Sequence, residues 1–310
     1  MSYYNMTWAL LITLSLVFQS AGKTAPNVTD PALTARIKQL FQTVLTTESD
    51  KEEATAKAEA KEIFAKHGLP TIAEVGEEAA YEFIVLTTTY QQPREFQAQV
   101  LAKAKEAAAR HDLPPDAVTF YEARLRVEKA KEEASTKAPT NPDLRDEIER
   151  LAKTDQAVRQ QEGFDRKKMM ETDQRNAAAL QAIFDKYGVP TYAMVGPGAA
   201  GAFVVMVQHQ PPQLRLQVLP KLKANVDAGQ ADPGSYALVY DRSQRDLGRK
   251  QLYGEQLECN EGGKLQEAPM EDEAHVNQRR AELGLMRVEL YAWLVEQTMP
   301  QFCPPAESKK

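Results

Sequence analysis

Asp155 and Arg159 stand four residues apart on a helical face whose earlier members, Leu144, Ile148 and Leu151, are all apolar. A carboxylate on a core face must find partners, because an unpaired buried charge is costly, and an arginine one turn on supplies one. The pattern recurs. Asn176 leads the apolar face Leu180, Ile183 and Tyr187, with Asp173 three residues before it, and Gln208-His209 ends the most apolar helical stretch. Asp241-Arg242 follow Ala237 and Leu238, and Arg279 and Arg280 fall between Val276 and Leu283 on an otherwise inward face.

Four kinds of chemistry fit these residue types. Arg159, Asn176, Gln208, Arg242, Tyr253, Arg279 and Arg280 would line a pocket for a polar or anionic small molecule, a peptide end or a partner protein, since guanidinium forks suit carboxylate and phosphate. Alternatively, His209 acts as a general base beside Asp155 or Asp241, with Arg280 or Tyr253 stabilising developing charge in a hydrolase or lyase reaction. No G-x-S-x-G, H-E-x-x-H or glycine-rich phosphate loop accompanies that histidine. An oxygen-rich metal site from Asp155, Asp173 and Asp241 with His209 is the third reading, although the expectation is no metal and no cofactor. The fourth is a buried ion-pair network that only specifies helix packing. All four stay open at this level.

The scaffold beneath these residues is used twice. Ile183-Phe184-Asp185-Lys186-Tyr187-Gly188-Val189-Pro190-Thr191 repeats Ile63-Phe64-Ala65-Lys66-His67-Gly68-Leu69-Pro70-Thr71. The offset of 120 continues through Val75-Gly76, Ala79-Ala80 and Phe83 against Val195-Gly196, Ala199-Ala200 and Phe203. The polar residues do not repeat. Asn176 falls on Ala56, Gln208 on Thr88 and His209 on Thr89, and after two loop slips Asp241 falls on Glu122 and Arg242 on Ala123. The Asp155-Gln156 and Arg159 set finds no equivalent in the first copy. Packing alone would equip both copies about equally, so the asymmetry points to a site in the second.

Helical periodicity and helix stops dominate the chain, so the predicted fold is mainly α, with two helical pseudo-repeats. The first helix is expected to open at Pro31 and continue through the Glu/Lys/Ala-rich stretch to Lys61. A β-hairpin is expected over Gln251 to Glu267, turning at Asn260-Glu261-Gly262-Gly263, followed by helices over Ala274 to Leu283 and Arg287 to Met299. The domain reading is residues 1–22 as a signal peptide, 23–134 as the diverged repeat and 135–142 as a linker. Residues 143–299 form the helical domain with the hairpin, and 300–310 the tail.

A chain of 310 residues has room for two such units, and 43% hydrophobic with 26% charged residues is a soluble, globular balance. The formal net charge of −6 and the absence of a basic stripe argue against a nucleic-acid partner. Trp8 to Phe18 is an apolar run of 11 residues followed by Ser20-Ala21-Gly22, which reads as an export signal too short to span a bilayer. Its first seven residues lack Lys and Arg, so an uncleaved anchor is the rival reading. The expectation is an exported protein, periplasmic or extracellular, free of the membrane once cleaved. In such a compartment Cys259 and Cys303 invite a disulfide, with two free thiols as the alternative.

From about residue 145 to 296 the chain also resembles an uncharacterised bacterial family, a domain of unknown function. The family pattern runs DQ…R, N, a Gly-Trp-Pro-Thr turn, QHAD, Y-x-x-D-R, YGTQ and V-D-x-R-R-x-x-x-G-L. Its counterparts here are Asp155-Gln156 with Arg159, Asn176, Gly188-Val189-Pro190-Thr191 and Gln208-His209-Gln210-Pro211. Asp241-Arg242, Tyr253-Gly254-Glu255-Gln256 and Val276-Asn277-Gln278-Arg279-Arg280 with Gly284-Leu285 complete it. Gln210-Pro211, Glu255 and Asn277 depart from the pattern, and the first departure removes an aspartate that would stand beside His209. The resemblance implies positions and brings no reaction with it.

Overall fold

A computed structural model describes residues 28–88, 92–159, 165–299 and 303. The signal reading and Thr89 lie outside the described residues. Among the described residues the chain is mainly helical, with one small antiparallel sheet, and it divides into two compact units between Tyr121 and Glu122. No described helix is long and apolar enough to cross a membrane.

The first unit contains α1 (Pro31–Thr46), α2 (Asp50–His67), α3 (Ile72–Thr88) and α4 (Arg94–Ala109), and the unit boundary falls inside α5 (Ala117–Ser135). The expected single helix from Pro31 to Lys61 is broken. Thr47 is extended, and the Ser49 hydroxyl accepts the Glu52 N–H at 3.3 Å, capping a second helix start. Glu52 returns a carboxylate to the Thr47 hydroxyl at 2.6 Å, so polar capping overrides the strong helix formers that follow.

Within α3 sits one carboxylate with no evident use. Glu82 is 5% exposed, and its Oε2 has no hydrogen-bond partner. Burial raises its pKa from 4.5 to about 7; Lys38 opposes the shift and Glu78 adds to it. A raised folded-state pKa favours the protonated form, so stability is full below pH 4.5 and falls as pH rises to about 7. The loss amounts to about 3 kcal/mol. Glu82→Gln is therefore expected to flatten the pH dependence of urea unfolding and to exceed the wild type at pH 8. Parallel pH profiles for the two proteins would rule this out.

The second unit contains α6 (Pro142–Arg159), α7 (Arg166–Tyr187), α8 (Tyr192–Gln208), α9 (Pro212–Asp227) and α10 (Pro233–Asp246). After these come β1 (Leu257–Cys259), β2 (Leu265–Glu267), a 3-10 turn at Glu273–His275, α11 (Val276–Glu282) and α12 (Val288–Thr298). Leu144 and Ile148 of α6, Leu180 and Ile183 of α7 and Phe203 and Val207 of α8 share one buried core. Each such large apolar side chain contributes about 2 kcal/mol.

The two copies match down to single backbone bonds. The Asp30 and Thr29 N–H groups donate to the Glu74 and Ala73 carbonyls, and those of Asn141 and Thr140 donate to Met194 and Ala193. Gly68 and Gly188 close α2 and α7 with φ of 77° and 71°. Gly76 and Gly196 kink α3 and α8 with φ of 83° and 81°. These left-handed conformations favour glycine, which explains why the glycines survive in both copies.

The backbone bonds also correct the residue correspondence. In α1 and α6 the offset is 140 − 29 = 111, which places Asp155 opposite Val44 and Arg159 opposite Glu48. The equivalent missing from the sequence comparison is thus an apolar residue. In α5 and α10 the Phe120 N–H meets the Asp116 carbonyl and the Tyr236 N–H that of Asp232, an offset of 236 − 120 = 116. Asp241 therefore stands opposite Leu125, not Glu122, and Arg242 opposite Arg126, not Ala123.

The hairpin is shorter than expected. Only Leu257–Cys259 pairs with Leu265–Glu267, and the Asn260 side chain accepts the Gly262 and Lys264 N–H groups in the turn. Gln251 to Gln256 folds as a loop because the buried Gln251 amide replaces the ladder. It donates to the Gln256 and Ala268 carbonyls and accepts the Gln256 N–H. Cys259 and Cys303 are joined by a disulfide with their Cα atoms 5.5 Å apart.

Candidate functional site

The polar residues singled out from the sequence separate into two clusters. The first lies where α6, α7 and the end of α8 meet. Asp155 is fully buried, and its oxygens accept from Arg159 Nε and Nη2 at 3.1 and 3.2 Å, Gln156 Nε2 at 3.1 Å and Asn176 Nδ2 at 3.3 Å. Arg159 also pairs with Asp173 and so bridges two carboxylates. His209 Nδ1 lies 3.5 Å from Asp155 Oδ2, an ion-pair distance, and makes no hydrogen bond.

The environment pushes the two carboxylates apart. Burial alone would raise Asp155, but the contacts with His209 and Arg159 outweigh it and hold the pKa below the ordinary 3.8. For Asp173 burial prevails over Arg159 and His209, and the pKa is raised.

An open groove of about 930 Å³ runs along this cluster. Asp173, Met170 and Ala177 of α7 form one wall and His209, Gln210 and Pro211 the other, with Arg166, Lys167 and Glu171 among the remaining lining residues. Gln210 is buried, and its Oε1, like His209 Nδ1, has no hydrogen-bond partner among the described residues. Gln208 is half-buried, and its carbonyl accepts from Arg215 Nη1 at 3.3 Å.

The second cluster holds the chain after α10 in place. Asp241 is fully buried and accepts the N–H groups of Leu252 at 2.7 Å, Tyr253 at 3.1 Å and Glu255 at 2.9 Å. Burial raises its pKa, and the three donors oppose that rise. Arg280 is 1% exposed and donates to the Met286 and Tyr253 carbonyls at 2.6 Å and to Glu255 Oε1 at 2.7 Å. Arg279 donates to the carbonyls of Leu252, Glu271 and Asp272. Tyr253 packs among Tyr236 and Tyr240, with ring centroids 6.1 and 5.7 Å away.

This division decides among the sequence readings of individual residues. The carboxylate beside His209 is Asp155, whereas Asp241 is committed to the loop N–H groups. Arg279 and Arg280 spend their donors on backbone carbonyls and acids of the same cluster. A metal reading reduces to Asp155, Asp173 and His209, whose candidate ligand atoms lie within 4.8 Å of one another. Arg159 already joins both carboxylates, so a cation would have to displace it.

The three positions read as departures from the resembled pattern have these surroundings. Pro211 is the N-cap of α9 and makes no side-chain cap bond, so an aspartate there would cap that helix. Glu255 supplies the ion pair of Arg280. Asn277 donates to Glu289 at 3.0 Å and accepts the Val288 N–H at 2.9 Å; an aspartate could not donate. Sequence reasoning passed over Arg215 and Gln251. Arg215 precedes Val218, Leu219 and Leu222 by three, four and seven residues, the same apolar-face signal that exposed Asp155. Gln251 carries no periodic signal.

The fold and the site define a mainly helical protein with a duplicated scaffold, of which one copy carries a charged cluster beneath an open groove. Residues 142–301 match a family of unknown function, DUF6624, and the chain belongs to that family. Neither the curated proteins nor the solved structures yield a match.

Proposed function

We propose that this is an exported binding protein whose second unit takes a polar, charge-bearing small molecule or peptide end in the groove beside His209. The observation that carries this reading is the pair of buried polar atoms without a hydrogen-bond partner among the described residues in one groove wall, His209 Nδ1 and Gln210 Oε1. Buried polar groups are normally satisfied, so two unsatisfied atoms on residues that line one groove suit a ligand that rearranges this wall on binding. Arg166 and Lys167 can meet a carboxylate, and Asp173 and Glu171 an amine, so the mixed charge suits a zwitterion or a peptide terminus. The disulfide between Cys259 and Cys303 supports export, because such bonds persist in oxidising compartments.

The test uses the chain expressed from Met1 and recovered by cell fractionation, with a dipeptide panel as the probe in calorimetry. The expected result is recovery outside the cytoplasm with both cysteines protected from alkylation, and at least one dipeptide that binds saturably. His209→Ala and Asp173→Asn should weaken that binding at least tenfold without changing the helical circular dichroism. Cytoplasmic retention with two reactive thiols would refute export. Unchanged affinity in both variants would refute the groove.

The Asp155–His209 contact favours a second reading, acid–base catalysis in the same groove. The ionised Asp155 would stabilise an imidazolium formed when His209 takes a proton from a bound substrate.

A further inference from the structure

Three side chains of the first cluster offer ligand atoms to one point. An oxygen of Asp155, an oxygen of Asp173 and a ring nitrogen of His209 all lie within 4.8 Å of one another. They come from α6, α7 and the residue that ends α8, so three separate helices fix them. His209 Nδ1 and Asp155 Oδ2 stand 3.5 Å apart, longer than an N–H···O hydrogen bond ordinarily reaches. Two ligand atoms on one tetrahedral ion, each about 2.1 Å from it, stand about 3.4 Å apart. The spacing that is poor for a hydrogen bond suits a shared cation. Asp173 and His209 also line the groove, which gives an entry path and room for water or a ligand carboxylate to complete the coordination.

Arg159 is the competitor for this position. It pairs with both carboxylates, yet one guanidinium leaves the two acids a negative charge in excess. It is the last residue of α6 and its side chain is 20% exposed, so it can turn to solvent without disturbing the helix. A divalent ion would neutralise both acids. Asp155 would keep its other donors, Gln156 at 3.1 Å and Asn176 at 3.3 Å, which orient the carboxylate from outside the coordination sphere. The first copy has Val44 where the second has Asp155, so the scaffold itself does not require the carboxylate.

We propose that Asp155, Asp173 and His209 form a site for a divalent transition-metal cation of the zinc type, with Arg159 competing for the same two carboxylates. An imidazole with two carboxylates suits that class, whereas calcium takes about six to eight oxygens. The site shares the groove of the reading above and does not depend on a dipeptide.

The experiment titrates zinc, with calcium as the comparison, into the chelator-treated full chain by calorimetry. His209→Ala, Asp173→Asn, Arg159→Gln and His275→Ala are compared with the wild type; His275 stands 2.7 Å from Asp272 and is the rival surface site. The expected result is one saturable zinc site that weakens by about tenfold or more in His209→Ala and Asp173→Asn. Binding should be unchanged in His275→Ala and tighter in Arg159→Gln, where the competing charge is gone. Circular dichroism separates lost binding from lost fold, and Asp173→Asn keeps the shape of the side chain. No zinc binding in the wild type, equal binding in folded His209→Ala and Asp173→Asn, weaker binding in folded Arg159→Gln, or calcium binding as tight as zinc would each overturn the proposal. Dipeptide binding without zinc binding would sink this proposal alone; zinc binding without any dipeptide would sink only the earlier reading.

Discussion

Replacing Asp241 by alanine is expected to cost about 4 kcal/mol, the largest effect of any single polar substitution discussed here. The carboxylate is the common acceptor for the N–H groups of Leu252, Tyr253 and Glu255, and no other acceptor among the described residues is bonded to these three donors. Leaving a buried N–H without a partner costs about 1–3 kcal/mol, and water can relieve part of that once the loop loosens. The damage spreads because Arg280 bonds the Tyr253 carbonyl and Glu255, and Arg279 bonds the Leu252 carbonyl. Asp241→Asn should cost about half as much, since its one amide oxygen can still accept. Urea unfolding followed by circular dichroism checks both values. A loss below about 1 kcal/mol for the alanine variant would show that the loop does not depend on this acid.

Asp155→Ala should be nearly as damaging, with a loss of about 3 kcal/mol, because it leaves Arg159 and Asn176 facing an empty buried position. Its pH signature differs from that of Glu82. The folded-state pKa of Asp155 is lowered, so its contribution is present above the ordinary value of 3.8 and is lost as pH falls through the folded value. The gap between wild type and Asp155→Asn should therefore be constant near neutrality and narrow below about pH 4. A gap that stays constant into strong acid would mean that Asp155 is not held ionised. His209→Ala provides the contrast. Its Nδ1 makes no hydrogen bond among the described residues and lies 3.5 Å from Asp155, so that substitution should cost less than Asp155→Ala while changing ligand binding. The pair of variants thus separates a packing network from a ligand site.

Much of this is legible in the sequence. The repeat, the glycine stops, the mainly helical class and the inward placement of Asp155, Arg159 and Asn176 all follow from periodicity and spacing. So does the turn at Asn260, whose short side chain can cap its own loop. The Thr47–Ser49 break was harder to read, because good helix formers on both sides masked the serine cap. The shortened hairpin was not legible either, since Gln251 acts through carbonyls five and 17 residues away.

What the chain order determined is which residues face inward; what only the tertiary structure decided is which of them meet. Asp241 and Arg242 are sequence neighbours, yet one is fully buried and anchors a loop while the other is half-buried and takes no part in it. Successive residues on a helix point about 100° apart, so adjacency in sequence separates side chains rather than joining them. Asp155 and His209 are 54 positions apart, from 209 − 155, and are brought to 3.5 Å by the packing of α6 on α8. Periodicity is a property of one helix, whereas a site is a property of the distances between helices.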